Sequence, residues 1–106
     1  MIKTKAQYDA RAEIAKALSH PTRLLLLDAL AERDLCVGEL TEIVGADQST
    51  VSKHLAVLKD AGFVEVEKRG TMSFYSIRCQ CLDQFFGCIE SVLRQKVRAQ
   101  QDLVEL

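Results

Sequence analysis

The sequence has no tryptophan and a single proline, Pro21, and aromatic residues make up only 6% of its 106 positions. Its core must therefore be assembled from Leu, Val, Ile and Ala, and the lone proline reads as punctuation, not as part of a linker. No apolar run approaches the ~20 residues that a bilayer span needs. The opening Met1-Ile2-Lys3-Thr4-Lys5-Ala6 lacks the apolar stretch of a secretory signal. A soluble, cytoplasmic chain with no membrane partner is expected. A basic excess is missing too: the formal net charge is -1, whereas nucleic-acid binders often carry a clear surplus of Lys and Arg. No Gly-rich phosphate loop and no catalytic triad spacing is present. His20 and His54 fall where a helix cap and a polar helix face account for them, so an enzyme is not expected.

What remains is an ordinary globular balance, 48% hydrophobic and 27% charged, of a length that suits one domain over residues 1–106. Ala6 to Leu18 places Ile14 and Leu18 at helical spacing. Ser19-His20-Pro21 closes that helix and opens a second, from Thr22 to about Ala31, with Ser19 or His20 as cap and Pro21 in the first turn. Leu24-Leu25-Leu26-Leu27 and Leu30 make the second helix apolar nearly all round, so it belongs at the buried centre. A third helix spans Cys36 to Val44 with Val37, Leu40, Ile43 and Val44 inward, stopped by Gly45. The fourth, from about Gln48 to Ala61 and capped by Asp47 or Ser49, repeats Val51, Leu55 and Leu58 on one face. Phe63 to Lys68 and Met72 to Ile77 alternate with period two around Arg69-Gly70-Thr71, the pattern of a β-hairpin. A long helix follows from Leu82. The expected order is α-α-α-α-β-β-α.

Two short helices joined by a Gly-containing turn and followed at once by a hairpin make a winged helix-turn-helix. Burying Val51, Leu55 and Leu58 leaves Gln48, Ser49, Ser52, Lys53 and Ala56 on the outer face of the fourth helix. Small or hydrogen-bonding residues there can approach base edges: Gln pairs with adenine, Ser adapts to either partner, and Lys reaches guanine or phosphate. Lys68-Arg69-Gly70 at the hairpin tip suits sequence-independent backbone contact. His54 borders the buried face, where packing or capping is as reasonable as a DNA contact. Charge alone leaves the question open: residues 24 to 47 hold one cation against six acids, while residues 53 to 78 hold Lys53, Lys59, Lys68, Arg69 and Arg78 against Asp60, Glu65 and Glu67, a modest positive tilt. A winged-helix protein-interaction module without a DNA role stays open as the other class.

Four blocks carry a family resemblance. Ala17-Leu18-Ser19-His20-Pro21-Thr22-Arg23, Leu35-Cys36-Val37-Gly38-Glu39-Leu40, Gln48-Ser49-Thr50-Val51-Ser52-Lys53-His54-Leu55 and Leu58-Lys59-Asp60-Ala61-Gly62-Phe63-Val64 resemble the ArsR/SmtB metalloregulatory repressors. The resemblance implies a homodimeric repressor that holds double-stranded operator DNA and leaves it when an inducer binds. It also implies that Gln48 to His54, Thr50 included, enters the major groove. The stripe Phe85, Phe86, Ile89, Val92 and Leu93 on the last helix is too rich for so small a domain to cover, which independently points to a two-fold dimer through the first and last helices.

Four cysteines in a cytoplasmic chain are expected to be reduced, and Cys79, Cys81 and Cys88 fall within ten residues of one another. Family inducer sites are incomplete here. No His follows His54 for the zinc site on the last helix, and Cys36-Val37-Gly38-Glu39-Leu40-Thr41 keeps one thiol of the three in the arsenic motif. Three thiolates suit a soft ion such as As(III) or Sb(III), which favour a three-sulfur pyramid, while zinc asks for a fourth ligand. Cys79, Cys81 and Cys88 are thus the candidate inducer ligands, with Cys36 a possible addition. Their closure depends on Cys79-Gln80-Cys81 folding over the first turn of the last helix, since seven helical residues span about 10.5 Å. A redox or persulfide switch and plain packing are the alternatives.

Overall fold

The computed structural model describes residues 2–105 and contains five helices and three strands among them: α1 (Lys5–Lys16), α2 (Pro21–Glu32), β1 (Leu35–Cys36), α3 (Val37–Val44), α4 (Gln48–Asp60), β2 (Val64–Arg69), β3 (Met72–Ile77) and α5 (Leu82–Val104). The winged helix-turn-helix expected from the sequence is present, with one strand added. Leu35 and Cys36 pair antiparallel with Tyr75 and Phe74, so the hairpin becomes a three-stranded sheet in the order β1-β3-β2. Two consecutive residues carry no periodicity of their own, and this strand exists because β3 offers them a partner. Cys36 is consequently the N-cap of α3 and not its first helical residue.

Local chemistry sets the boundaries. Thr4 and Gln7 form a reciprocal capping box at the start of α1, Thr4 N–H donating to Gln7 Oε1 at 2.8 Å. His20 caps α2: its Nδ1 accepts from the Thr22 amide at 3.0 Å, with Pro21 in the first turn. Gly45 ends α3 in the left-handed region at φ 77°, where its amide donates to the Thr41 carbonyl and a side chain would be strained. The hairpin turns on Gly70 and Thr71, between the paired residues Arg69 and Met72.

Leu26, Leu27 and Leu30 of α2, Leu40 of α3, and Val51, Leu55 and Leu58 of α4 form the core with Leu35, Phe63, Val64 and Leu82. No polar side chain is buried among them. The expected inward set is corrected at two positions: Leu25 of α2 and Ile43 of α3 face outward. Eight helical residues give just over two turns, and one face of α3 cannot hold four apolar side chains against the same core. The two outer helices contrast with this centre. α1 buries none of its residues, and α5 buries only Leu82, with Phe86 packed partly against the core. No described helix is long and apolar enough to cross a membrane.

Candidate nucleic-acid interface

α4 is held from below by Val51, Leu55 and Leu58, which leaves Gln48, Ser49, Thr50, Ser52 and Lys53 exposed on its opposite side. The start of the helix carries side-chain hydrogen bonds of its own. The Ser49 hydroxyl donates to Asp47 Oδ2 at 2.7 Å. Hydroxyl hydrogen bonds from Thr50 and Ser49 hold the Asp47 carboxyl below its ordinary value. Asp47 therefore stays ionised beside the first turn, where negative charge favours the helix. Ser49 retains lone pairs that can accept from a base edge.

His54 is set apart from these residues. It is half-buried, and its Nδ1 lies 3.2 Å from the Nη1 of Arg23. Its ring centroid sits 4.3 Å from that of His20. The packing role considered for it is thus occupied, and its placement on α4 sets it beside the exposed polar residues of that helix.

The wing tip divides in the same manner. Lys68 and Gly70 are exposed, and Lys68 has no ion pair among the described residues. Arg69, expected to lie along the DNA backbone, is engaged within the protein. Its Nη2 donates to Asp34 Oδ2 at 2.7 Å, its Nε donates to Glu67 Oε1 at 3.1 Å, and its guanidinium carbon lies 4.7 Å from the centre of the Phe74 ring. Hydrogen bonds to Asp34 and Glu67 push the Arg69 guanidinium above its ordinary value. These contacts tie the wing to the segment between α2 and β1. The two cations should separate in salt dependence. Lys68→Ala is expected to lower the slope of log affinity against log salt by about 1, the share of one phosphate contact, and Arg69→Ala by less. Anisotropy titrations at several salt concentrations read this directly.

The thiols form a second feature. Cys79 Sγ and Cys81 Sγ stand 2.8 Å apart in the turn between β3 and α5. Cys79 packs partly against the core and Cys81 is exposed. Cys79 also lines a cavity of about 300 Å³ with Leu27, Leu30, Ile77, Leu82 and Phe86, rimmed by Glu32, Arg33, Asp34 and Asp83. The hydrogen bond and charge of Cys79 push the Cys81 thiol above its ordinary value. The three-thiol site expected from spacing is not assembled within one protomer. No three His, Cys, Asp or Glu side chains gather to hold a metal among the described residues. The physical reason is that Cys79 turns inward to the core instead of folding over α5. Cys88, exposed on α5, stays about two helical turns beyond Cys81. Cys36 is buried at the N-cap of α3, where its amide donates to Glu39 Oε1 at 3.1 Å.

A helix presenting short polar side chains, held by a leucine-rich floor and flanked by a β-hairpin with a basic tip, defines a winged helix-turn-helix DNA-binding regulator. The family described as "Bacterial regulatory protein, arsR family" matches residues 20–66. A helix-turn-helix transcriptional regulator of Methanocaldococcus jannaschii is 44% identical over 72 residues, covering 67% of this chain and 81% of that protein. The homodimeric winged helix-turn-helix DNA-binding domain of a possible ArsR-family regulator from Mycobacterium bovis superposes with a TM-score of 0.77 at 28% identity, covering 92% of this chain and 93% of that one. The transcriptional repressor BigR from Xylella fastidiosa gives 0.69 at 32% identity, covering 85% and 96%. The chain belongs to the ArsR family of bacterial regulatory proteins, which are DNA-binding transcriptional regulators and not enzymes.

Proposed function

We propose that the protein is a homodimeric repressor that holds double-stranded operator DNA through α4 and the wing and is released by a thiophilic inducer. The exposed apolar stripe of α5, above a helix that buries only Leu82, carries the dimer reading. Similarity to a homodimeric domain and to a named repressor supports it.

The Cys79–Cys81 pair carries the inducer reading. Two thiols at 2.8 Å supply two sulfurs to one soft centre, and As(III) or Sb(III) are the inducers that suit them best. The donor set within one protomer does not fit zinc, which asks for two further ligands. A third sulfur from Cys88 requires the 79–81 turn to shift along α5. Such a shift moves the foot of the dimer helix, where a coupling of ~1–3 kcal/mol to DNA affinity would be expressed.

The test is anisotropy of the reduced protein on DNA upstream of its own gene, titrated with arsenite in excess reductant. Release at stoichiometric arsenite that Cys79→Ser or Cys81→Ser removes, with DNA affinity retained, is the expected result. Loss of release in Cys88→Ser as well extends the site to three thiols. Unchanged DNA binding under arsenite, with release by an oxidant that those same variants resist, moves the reading to a dithiol redox switch.

A further inference from the structure

Arg23 has no part in the DNA surface or the thiol site, yet its side chain reaches three ways. It is half-buried near the start of α2. Its Nε donates to the Ala17 carbonyl at 2.7 Å and its Nη2 to the Lys16 carbonyl at 3.4 Å. Those carbonyls lie at the C-terminal end of α1, where the Lys16 carbonyl also accepts from the Ser19 amide at 3.0 Å. Nη1 meets His54 Nδ1 at 3.2 Å, in the middle of α4. A guanidinium offers only N–H donors and does not lose its proton. His54 Nδ1 must therefore accept, which places the single ring proton on Nε2. The neighbouring His20 is used alike, since its Nδ1 accepts from the Thr22 amide. Two imidazoles tilted 47° to each other are thus employed as acceptors, and His54 can serve Arg23 only while neutral.

We propose that Arg23 is a positioning residue for operator recognition, tying the end of α1 to His54 so that the seating of α4 requires a neutral imidazole. The proposal rests on the reading of α4 as the DNA-contacting helix. α1 and α4 otherwise approach only across an open groove lined by Glu13, Ile14, Lys16, Ala17, Arg23, Val57, Asp60 and Ala61. Arg23 is the one hydrogen-bonded link from α1 to α4 among the described residues. The charged or titratable groups facing His54 are His20, the N-cap of α2, and Arg23 in its first turn. Burial, followed by the charges of His20 and Arg23, keeps the His54 imidazole below its ordinary value. Lys53 precedes it on α4, and Glu13, Lys16 and Asp60 border the groove on the far side of Arg23.

The sign of the effect is diagnostic. Protonating a histidine beside phosphates ordinarily strengthens DNA binding. Here protonation sets an N–H and a positive charge against the guanidinium and breaks the tether. Because the native state favours the neutral ring, stability is full above the ordinary histidine range and declines as pH falls through it toward the lowered native value. Operator affinity should decline below that native value, by about 10-fold per pH unit for each protomer.

The experiment measures affinity of the full chain for its upstream DNA from about pH 8 to pH 5, with circular dichroism confirming the fold at each point. The His54 ring proton is followed by NMR in the absence of DNA. The wild type should weaken on acidification, His54→Gln should lose the slope whatever its affinity, and Arg23→Gln should move the NMR midpoint upward. A wild-type affinity that rises or stays flat, or a midpoint that Arg23→Gln leaves in place, overturns the proposal. Should Arg23→Gln not fold, the wild-type slope and its loss in His54→Gln decide alone. Failure to bind DNA at any pH with the midpoint still moved by Arg23→Gln would instead overturn the operator reading and leave the tether standing.

Discussion

Replacing Ile89 and Leu93 together by glutamate is expected to yield a folded monomer that no longer holds its operator. α5 has 23 residues and so runs for about 34 Å, yet its middle touches little of its own domain. Ile89 is 38% exposed and Leu93 55%, and Phe85, Val92 and Val97 are exposed with them. The positions 85, 89, 93 and 97 recur every four residues, which lays them along one side of the helix. α1 adds Tyr8 and Ile14, also exposed. An apolar face of that extent is an interaction surface. Burying each Ile or Leu is worth roughly 1.5–3 kcal/mol, and a two-fold interface buries every one twice. Charges at two central positions remove that gain and add an unpaired carboxylate at each. A monomer then engages one half-site, with a loss of roughly 10²–10⁴ in affinity as the second contact disappears. Sedimentation velocity and anisotropy on the same sample read both effects. A variant that still sediments as a dimer would place the interface elsewhere.

Leu55→Ala carries the largest expected cost in stability. Leu55 is fully buried, between Val51 and Leu58 on the inner face of α4. Truncating a leucine in such a site removes about 3 kcal/mol through lost burial and the cavity left behind. For a domain of this size the melting temperature should fall by about 15 °C. Ser52→Ala supplies the contrast on the other side of the same helix. Its hydroxyl is exposed, so the melting temperature should stay put, while operator affinity drops by roughly 1–3 kcal/mol if Ser52 reads a base edge. A thermal melt paired with a DNA titration separates the side of α4 that builds the fold from the side that uses it.

The periodic elements were legible because their signals are local. Val51, Leu55 and Leu58 declare the buried face of α4, and Gly45, His20 and Gly70 declare ends and turns through backbone chemistry. The unpartnered α5 stripe was visible for the same reason, as more apolar side chains than so small a domain can cover. What escaped is what depends on partners far along the chain. β1 exists only through Tyr75 and Phe74. Arg69 looked like a free cation at a hairpin tip because Asp34, its partner, lies 35 residues away. The link between Arg23 and His54 crosses 31 residues and leaves no periodic trace. The thiol cluster shows the converse limit. Spacing suggested three cysteines in one place, but the direction in which Cys79 turns is decided by the core beneath it.

The sheet bears on how copies of the chain meet. Its outer strand, β2, exposes Glu65, Glu67, Lys68 and Arg69 along an edge whose backbone lacks a neighbour, and the opposite edge, β1, is only two residues long. Charged side chains on one border and brevity on the other discourage strand-to-strand growth. Among the described residues, self-association is thereby directed to the apolar helical face. A self-complementary face used by two copies is consumed in the act, so raising the concentration should fill the pair without extending it into filaments.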